Sequence, residues 1–199
     1  MKAVSSLFIV VFFLLLINCK KKSDNNDETA IIEKYFRLEK LGWKSNQYSQ
    51  HVDQLTFAVA EVPLAYYILK DLGNEDIKKV DSIDQANKSE RIFEFEFVHD
   101  KEPELLEKEY TGLDYTEGVK YISFKINEDF YVVTSKHDTI RCSGSTFERS
   151  FKIFPSHKIL LFFTGIPPQD QIQLVYQDRL FKKGTLKFKF IERINKIQL

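Results

Sequence analysis

Three features of the sequence predict a mainly β fold, an antiparallel β-sandwich with one to three short helices. Apolar and polar residues alternate along "RIFEFEFV" at 91–98, with Phe93, Phe95 and Phe97 on one face and Glu94 and Glu96 on the other. Eighteen Phe and nine Tyr stand against one Trp and one Met, a bias that favours sheet. Short strand-like runs recur about every ten residues with turn residues between them, a spacing that an immunoglobulin-like layout would also fit.

The elements follow in order. "AIIEKYFRLEKL" at 30–41 sets Ile31, Ile32, Tyr35, Leu38 and Leu41 at helical spacing with charges opposite, and Gly42 would end the helix. "LTFAVAEV" at 55–62 reads as a strand with Leu55, Phe57 and Val59 on one face. Pro63 suits the first turn of a helix, "PLAYYILKDL", that Gly73 closes. The polar stretch 74–89 predicts a loop with one helical turn, and Pro103 opens a short helical piece ending near Gly112.

"GVKYISFKINEDFYVVT" at 118–134 predicts a hairpin turning at Asn127, Glu128 and Asp129, although Val119, Ile122 and Ile126 also fit a helix. "STFERSFKIF", "KILLFFTGI", "QIQLVYQD" and "GTLKFKFIE" are the remaining strands. Phe162 and Phe163, with Ile166, Pro167 and Pro168, predict a buried strand and turn, with an exposed apolar lip as the alternative. Glu94 and Glu96 would attract Lys187 and Lys189 if their strands were neighbours. Otherwise the lysines guard an edge strand.

The first thirty residues carry a different message. Lys2 precedes Leu7–Ile17, an unbroken apolar run of eleven residues. That length suits the core of an export signal and falls short of the ~20 residues that span a bilayer. The run ends Leu16-Ile17-Asn18-Cys19, and three lysines and "SDNNDE" follow. This ending resembles the lipobox of bacterial lipoproteins, in the form found in the Bacteroidetes group, although Asn18 stands where the family usually has Gly, Ala or Ser. The resemblance implies a diacylglycerated Cys19 thiol, cleavage just before it, and acylation of the new amino terminus.

The expected organisation is a signal peptide at 1–18, a lipidated cysteine and flexible tether at 19–30, and one β-rich domain at 31–199. Removing residues 1–18 leaves 181 of the 199, enough for one domain with a real core. Cys142 is then the single thiol outside the anchor, so no internal disulfide is available. The chain has formal net charge zero, which gives no global field for nucleic acid. The segment 179–199 is locally basic, with seven Lys and Arg against Glu192. A solvated strand face is the favoured reading, and a patch for anionic lipid or an acidic partner is the other.

Candidates for chemistry are few. His137, Asp138 and Cys142 gather in "HDTIRCSGS", and a cysteine nucleophile needs a base and a group to orient it. A strand would put His137 and Cys142 on opposite faces, which favours Cys142 as a small buried hydrophobe. The four histidines stand singly without the spacing of a metal site, and no phosphate-cradling glycine loop or GxSxG elbow occurs, so no metal or cofactor is expected. Asp81-Ser82-Ile83 and Asp138-Thr139-Ile140 resemble the short sites O-glycosylated in exported proteins of the same bacterial group, which implies Ser82 and Thr139 as acceptors.

The expected function is a non-catalytic, membrane-anchored lipoprotein of the cell envelope. It would be held in the outer membrane, in an unassigned leaflet, and would bind or stabilise another envelope protein. The alternative is a ligand-binding or hydrolytic lipoprotein with a cleft assembled from dispersed histidines and carboxylates.

Overall fold

A computed structural model of the chain describes residues 47–72, 77–101, 105–148 and 156–191. The leader, Cys19, the tether and the helix expected at 30–41 lie outside the described residues. So does the segment 192–199 of the basic C-terminal stretch.

Nine strands and four α-helices are described: β1 Gln47–Val52, β2 Leu55–Val62, α1 Leu64–Leu72, α2 Ile77–Ala86, β3 Arg91–His99, α3 Lys108–Thr111, α4 Tyr115–Phe124, β4 Phe130–Thr134, β5 Thr139–Arg141, β6 Gly144–Glu148, β7 Ser156–Phe163, β8 Ile172–Asp178 and β9 Gly184–Phe190. A 3₁₀ turn, Ile126–Asp129, joins α4 to β4. The strands form a five-stranded sheet, β1-β2-β3-β7-β6, and a four-stranded sheet, β5-β4-β8-β9, in which every pairing is antiparallel.

The fold is therefore the expected mainly β sandwich, with four helices against the one to three expected. Its strand order is not that of the immunoglobulin layout, in which the third strand crosses to the opposite sheet. Here β1, β2 and β3 stay together as a meander.

Period-2 alternation builds the core. Phe57 on β2, Phe93, Phe95 and Phe97 on β3, and Ile159, Leu161 and Phe163 on β7 are wholly buried on the inner face of the larger sheet. Phe130, Leu174, Tyr176, Phe188 and Phe190 answer them from the smaller sheet. Phe95 lies at the centre, with ring centroids 4.9 Å from Phe130 and 5.0 Å from Tyr176 in edge-to-face contact. Phe163 and Ile166 are fully buried, so the segment 162–168 is strand and turn rather than an apolar lip.

Both lateral margins of the sandwich are tied. Gln50 on β1 donates to the Lys187 carbonyl on β9 at 2.6 Å, and the Tyr48 ring meets Phe190 edge-on at 4.9 Å. At the other margin the chain passes from β5 in one sheet to β6 in the other through Cys142 and Ser143 alone. Lys187 and Lys189 are exposed on β9, an edge strand, while Glu94 and Glu96 sit on β3 in the opposite sheet. The two pairs are not neighbours, and the lysines occupy an edge-guarding position.

Three local expectations are corrected. Residues 115–124 form a helix rather than the first arm of a hairpin, because Asp114 caps it by accepting from the Glu117 amide at 2.9 Å. The polar stretch after residue 74 contains the ten-residue helix α2, whose Val80 packs with Ile68 of α1. The edge strands β1 and β5 were not anticipated. Among the described residues no helix is long and apolar enough to cross a membrane.

Candidate functional site

The residues singled out in the sequence lie along the β4–β5–β6 segment. His137 occupies the β4–β5 turn with φ of 68°, exposed, its amide donating to the Thr134 carbonyl at 3.0 Å. Asp138 is also exposed, and its amide donates to the Thr134 hydroxyl at 3.1 Å. Cys142 lies beyond the far end of β5, where its amide donates to the Phe130 carbonyl at 3.2 Å. Five residues of extended chain separate His137 from Cys142, roughly 16 Å, so the imidazole does not reach the sulfur.

The surroundings of Cys142 suit a corner residue. Its single S–H is shared between the Gly144 carbonyl at 3.0 Å and the Phe162 carbonyl at 3.5 Å, binding the crossover to β7. Burial pushes its pKa up to about 11 against those two hydrogen bonds, so thiolate is scarce near neutrality. The arrangement holds two sheets together and provides no activated nucleophile.

The histidines do not assemble. His51 is exposed beside the Thr56 hydroxyl at 2.9 Å, with Asp100 at 3.8 Å. His99 is buried against the Tyr110 ring, and His157 is stacked on Phe97 with centroids 5.3 Å apart. No group of three or more His, Cys, Asp or Glu residues is placed to hold a metal ion among the described residues. Ser82, on α2, and Thr139, at the start of β5, are both exposed.

Three charged clusters were not legible beforehand. On the outer face of the larger sheet, Lys158 of β7 bridges Glu94 at 3.0 Å and Glu96 at 3.4 Å, and Tyr67 of α1 donates to Glu94 at 2.5 Å. Burial alone would depress the Lys158 ammonium, but the two glutamates outweigh it and hold its pKa above the ordinary lysine value. Burial, then the Glu94 hydrogen bond, pushes the Tyr67 phenol far up, so it remains a donor.

The second cluster is the ion pair between Glu61 and Arg91, both nearly inaccessible to solvent. Arg91 also donates through Nη1 to the Asp170 carbonyl at 3.0 Å, which fastens the β7–β8 connection. The third surrounds Asp129, where α4, the 3₁₀ turn and the end of β8 meet. The Glu61–Arg91 and Glu94–Lys158–Glu96 groups answer each other's charge within hydrogen-bond distance. Such mutually compensated groupings tie strands, helix and loop together.

No family model matches the chain, and no curated protein matches it. Among solved structures, a crystal structure of a protein of unknown function from Burkholderia pseudomallei K96243 aligns over 80% of this chain and 88% of its own, with 8% identity and a TM-score of 0.37. Nothing of that protein is transferred to this one.

Proposed function

We propose that this chain is a lipid-anchored envelope protein of a bacterium, a non-catalytic β-sandwich that binds or stabilises another envelope protein. The observation that carries the reading is Cys19, placed where the apolar run Leu7–Ile17 gives way to three lysines and a polar tether. Acyl chains on that residue would hold the domain at the outer membrane, since each buried methylene contributes ~0.8 kcal/mol and two or more chains give stable attachment. The separation of His137 from Cys142 and the raised Cys142 thiol support the non-catalytic part of the reading.

Replacing Cys19 with Ser moves the protein from the membrane fraction to the soluble fraction; full retention at the membrane sinks the anchor. Gentle detergent extraction of the native protein after cross-linking recovers a partner in fixed stoichiometry. A clean monomer under those conditions counts against the binding role. Ser82 and Thr139 are exposed and stand as O-glycosylation acceptors, so intact native protein carries added glycan mass that a Ser82→Ala, Thr139→Ala variant lacks.

A further inference from the structure

Asp129 closes the 3₁₀ turn between α4 and β4, and its side chain is completely buried. Tyr121 of α4 donates to Oδ2 at 2.5 Å. Oδ1 accepts no hydrogen bond among the described residues. Arg179 Nε approaches Oδ1 to 3.2 Å without the alignment of a hydrogen bond, from a side chain that is 55% exposed. A buried carboxylate with one hydroxyl donor and one loosely held cation is poorly compensated.

The other groups facing it make its negative charge harder to hold. Glu128 of the 3₁₀ turn and Asp178 of β8 are both acidic, and Tyr176 of β8 is a neutral phenol whose hydroxyl is spent on Asp178. Asp178 cannot relieve the site, because its two oxygens already accept from the Tyr176 hydroxyl and the amides of Leu180, Phe181 and Lys183 at 2.8–3.1 Å. Arg179 is the one cation that interacts with Asp129 among the described residues.

We propose that Asp129 is a proton-operated latch on α4. A proton taken from solvent onto its carboxylate in mildly acidic surroundings removes the buried charge and fastens α4 to the sandwich, while giving up the Arg179 attraction. Loss of that proton near neutrality loosens α4. Burial pushes the Asp129 pKa up to about 6, against the opposing pull of the Tyr121 hydrogen bond and Arg179. The folded value lies above the unfolded one, so the stabilisation is fully present below about pH 4 and is lost as pH rises through 6.

Hydrogen exchange of the α4 amides, corrected for intrinsic rates, tests the latch at pH 5 and pH 7.5. In the wild type, protection is about tenfold higher at pH 5. In Asp129→Asn, which keeps the shape and carries no charge at either pH, protection is the same at both. Equal protection in the wild type, or a wild-type rise that survives in Asp129→Asn, overturns the proposal. Should the variant fail to fold, the carboxyl ¹³C shift of Asp129 in the wild-type protein decides. A midpoint above about 5 sustains the latch and one below about 5 overturns it. In Arg179→Ala the midpoint moves upward, because the one stabilising cation is gone; no upward movement also overturns it.

Discussion

Arg91 grips Glu61 with two prongs inside the sandwich, Nε donating to Oε1 at 2.5 Å and Nη2 to Oε2 at 2.6 Å. Each residue sits on the inner face of its strand, at the end where aromatic packing gives way to loops. The guanidinium also lies 5.8 Å from the Phe93 ring centroid, so one cation holds a strand, a loop and an aromatic face together.

Breaking that pair by Glu61→Ala or Arg91→Ala strands a buried charge and costs about 3–5 kcal/mol. Replacing both partners with apolar residues of similar volume, Glu61→Leu with Arg91→Met, recovers most of the loss. Chemical denaturation midpoints of the three variants measure this. A double variant as unstable as either single one would show that Arg91 acts mainly through the Asp170 carbonyl.

Lys158→Met leaves Glu94 and Glu96 facing each other on a half-buried surface and costs about 1–3 kcal/mol at neutral pH. The defect shrinks as pH rises past about 10, where a lysine of the unfolded chain gives up its proton while Lys158, held above the ordinary lysine value by the two glutamates, keeps it. Thermal unfolding across that range reads the difference between variant and wild type. A gap independent of pH would mean that the lysine's methylenes matter and its charge does not.

Cys142 resists alkylation in the folded protein and reacts once the chain is denatured. With the thiol pushed up to about 11, the thiolate fraction is roughly 100-fold below that of an ordinary cysteine, before burial slows the reagent further. Timed iodoacetamide labelling followed by mass spectrometry checks this. Labelling at the free-thiol rate would reopen Cys142 as a reactive group.

Lys182 adopts the left-handed conformation at φ of 60° in the turn between β8 and β9. That conformation costs a non-glycine residue roughly 1–2 kcal/mol. Lys182→Gly relieves it and returns part of the gain as lost chain entropy, so stability rises by about 0.5–1 kcal/mol. A calorimetric Tm equal to or below that of the wild type would show that the lysine side chain compensates its own strain.

Strands with a period of two, β2, β3 and β9, and the short apolar runs of β7 and β8 between turn residues were legible. The edge strands β1 and β5 were not, because β1 is half-exposed along its length and β5 has three residues, too few to show a period. Asp114 standing three residues before Glu117 was the available signal for α4, and a helical cap outweighs the β-branched residues that suggested a hairpin. The charged clusters stayed hidden for a different reason. Alternation placed Glu94 and Glu96 on an outer face, but only strand order assigns their partner, and it chose Lys158 of β7 over the lysines of β9.

Mass spectrometry of the amino-terminal peptide from mature, membrane-extracted protein tests the central claim most directly. A chain beginning at Cys19 and carrying diacylglyceryl and amide-linked acyl mass is the result expected. A peptide that reads through Asn18 into Cys19, or begins at Cys19 with an unmodified thiol, would contradict it.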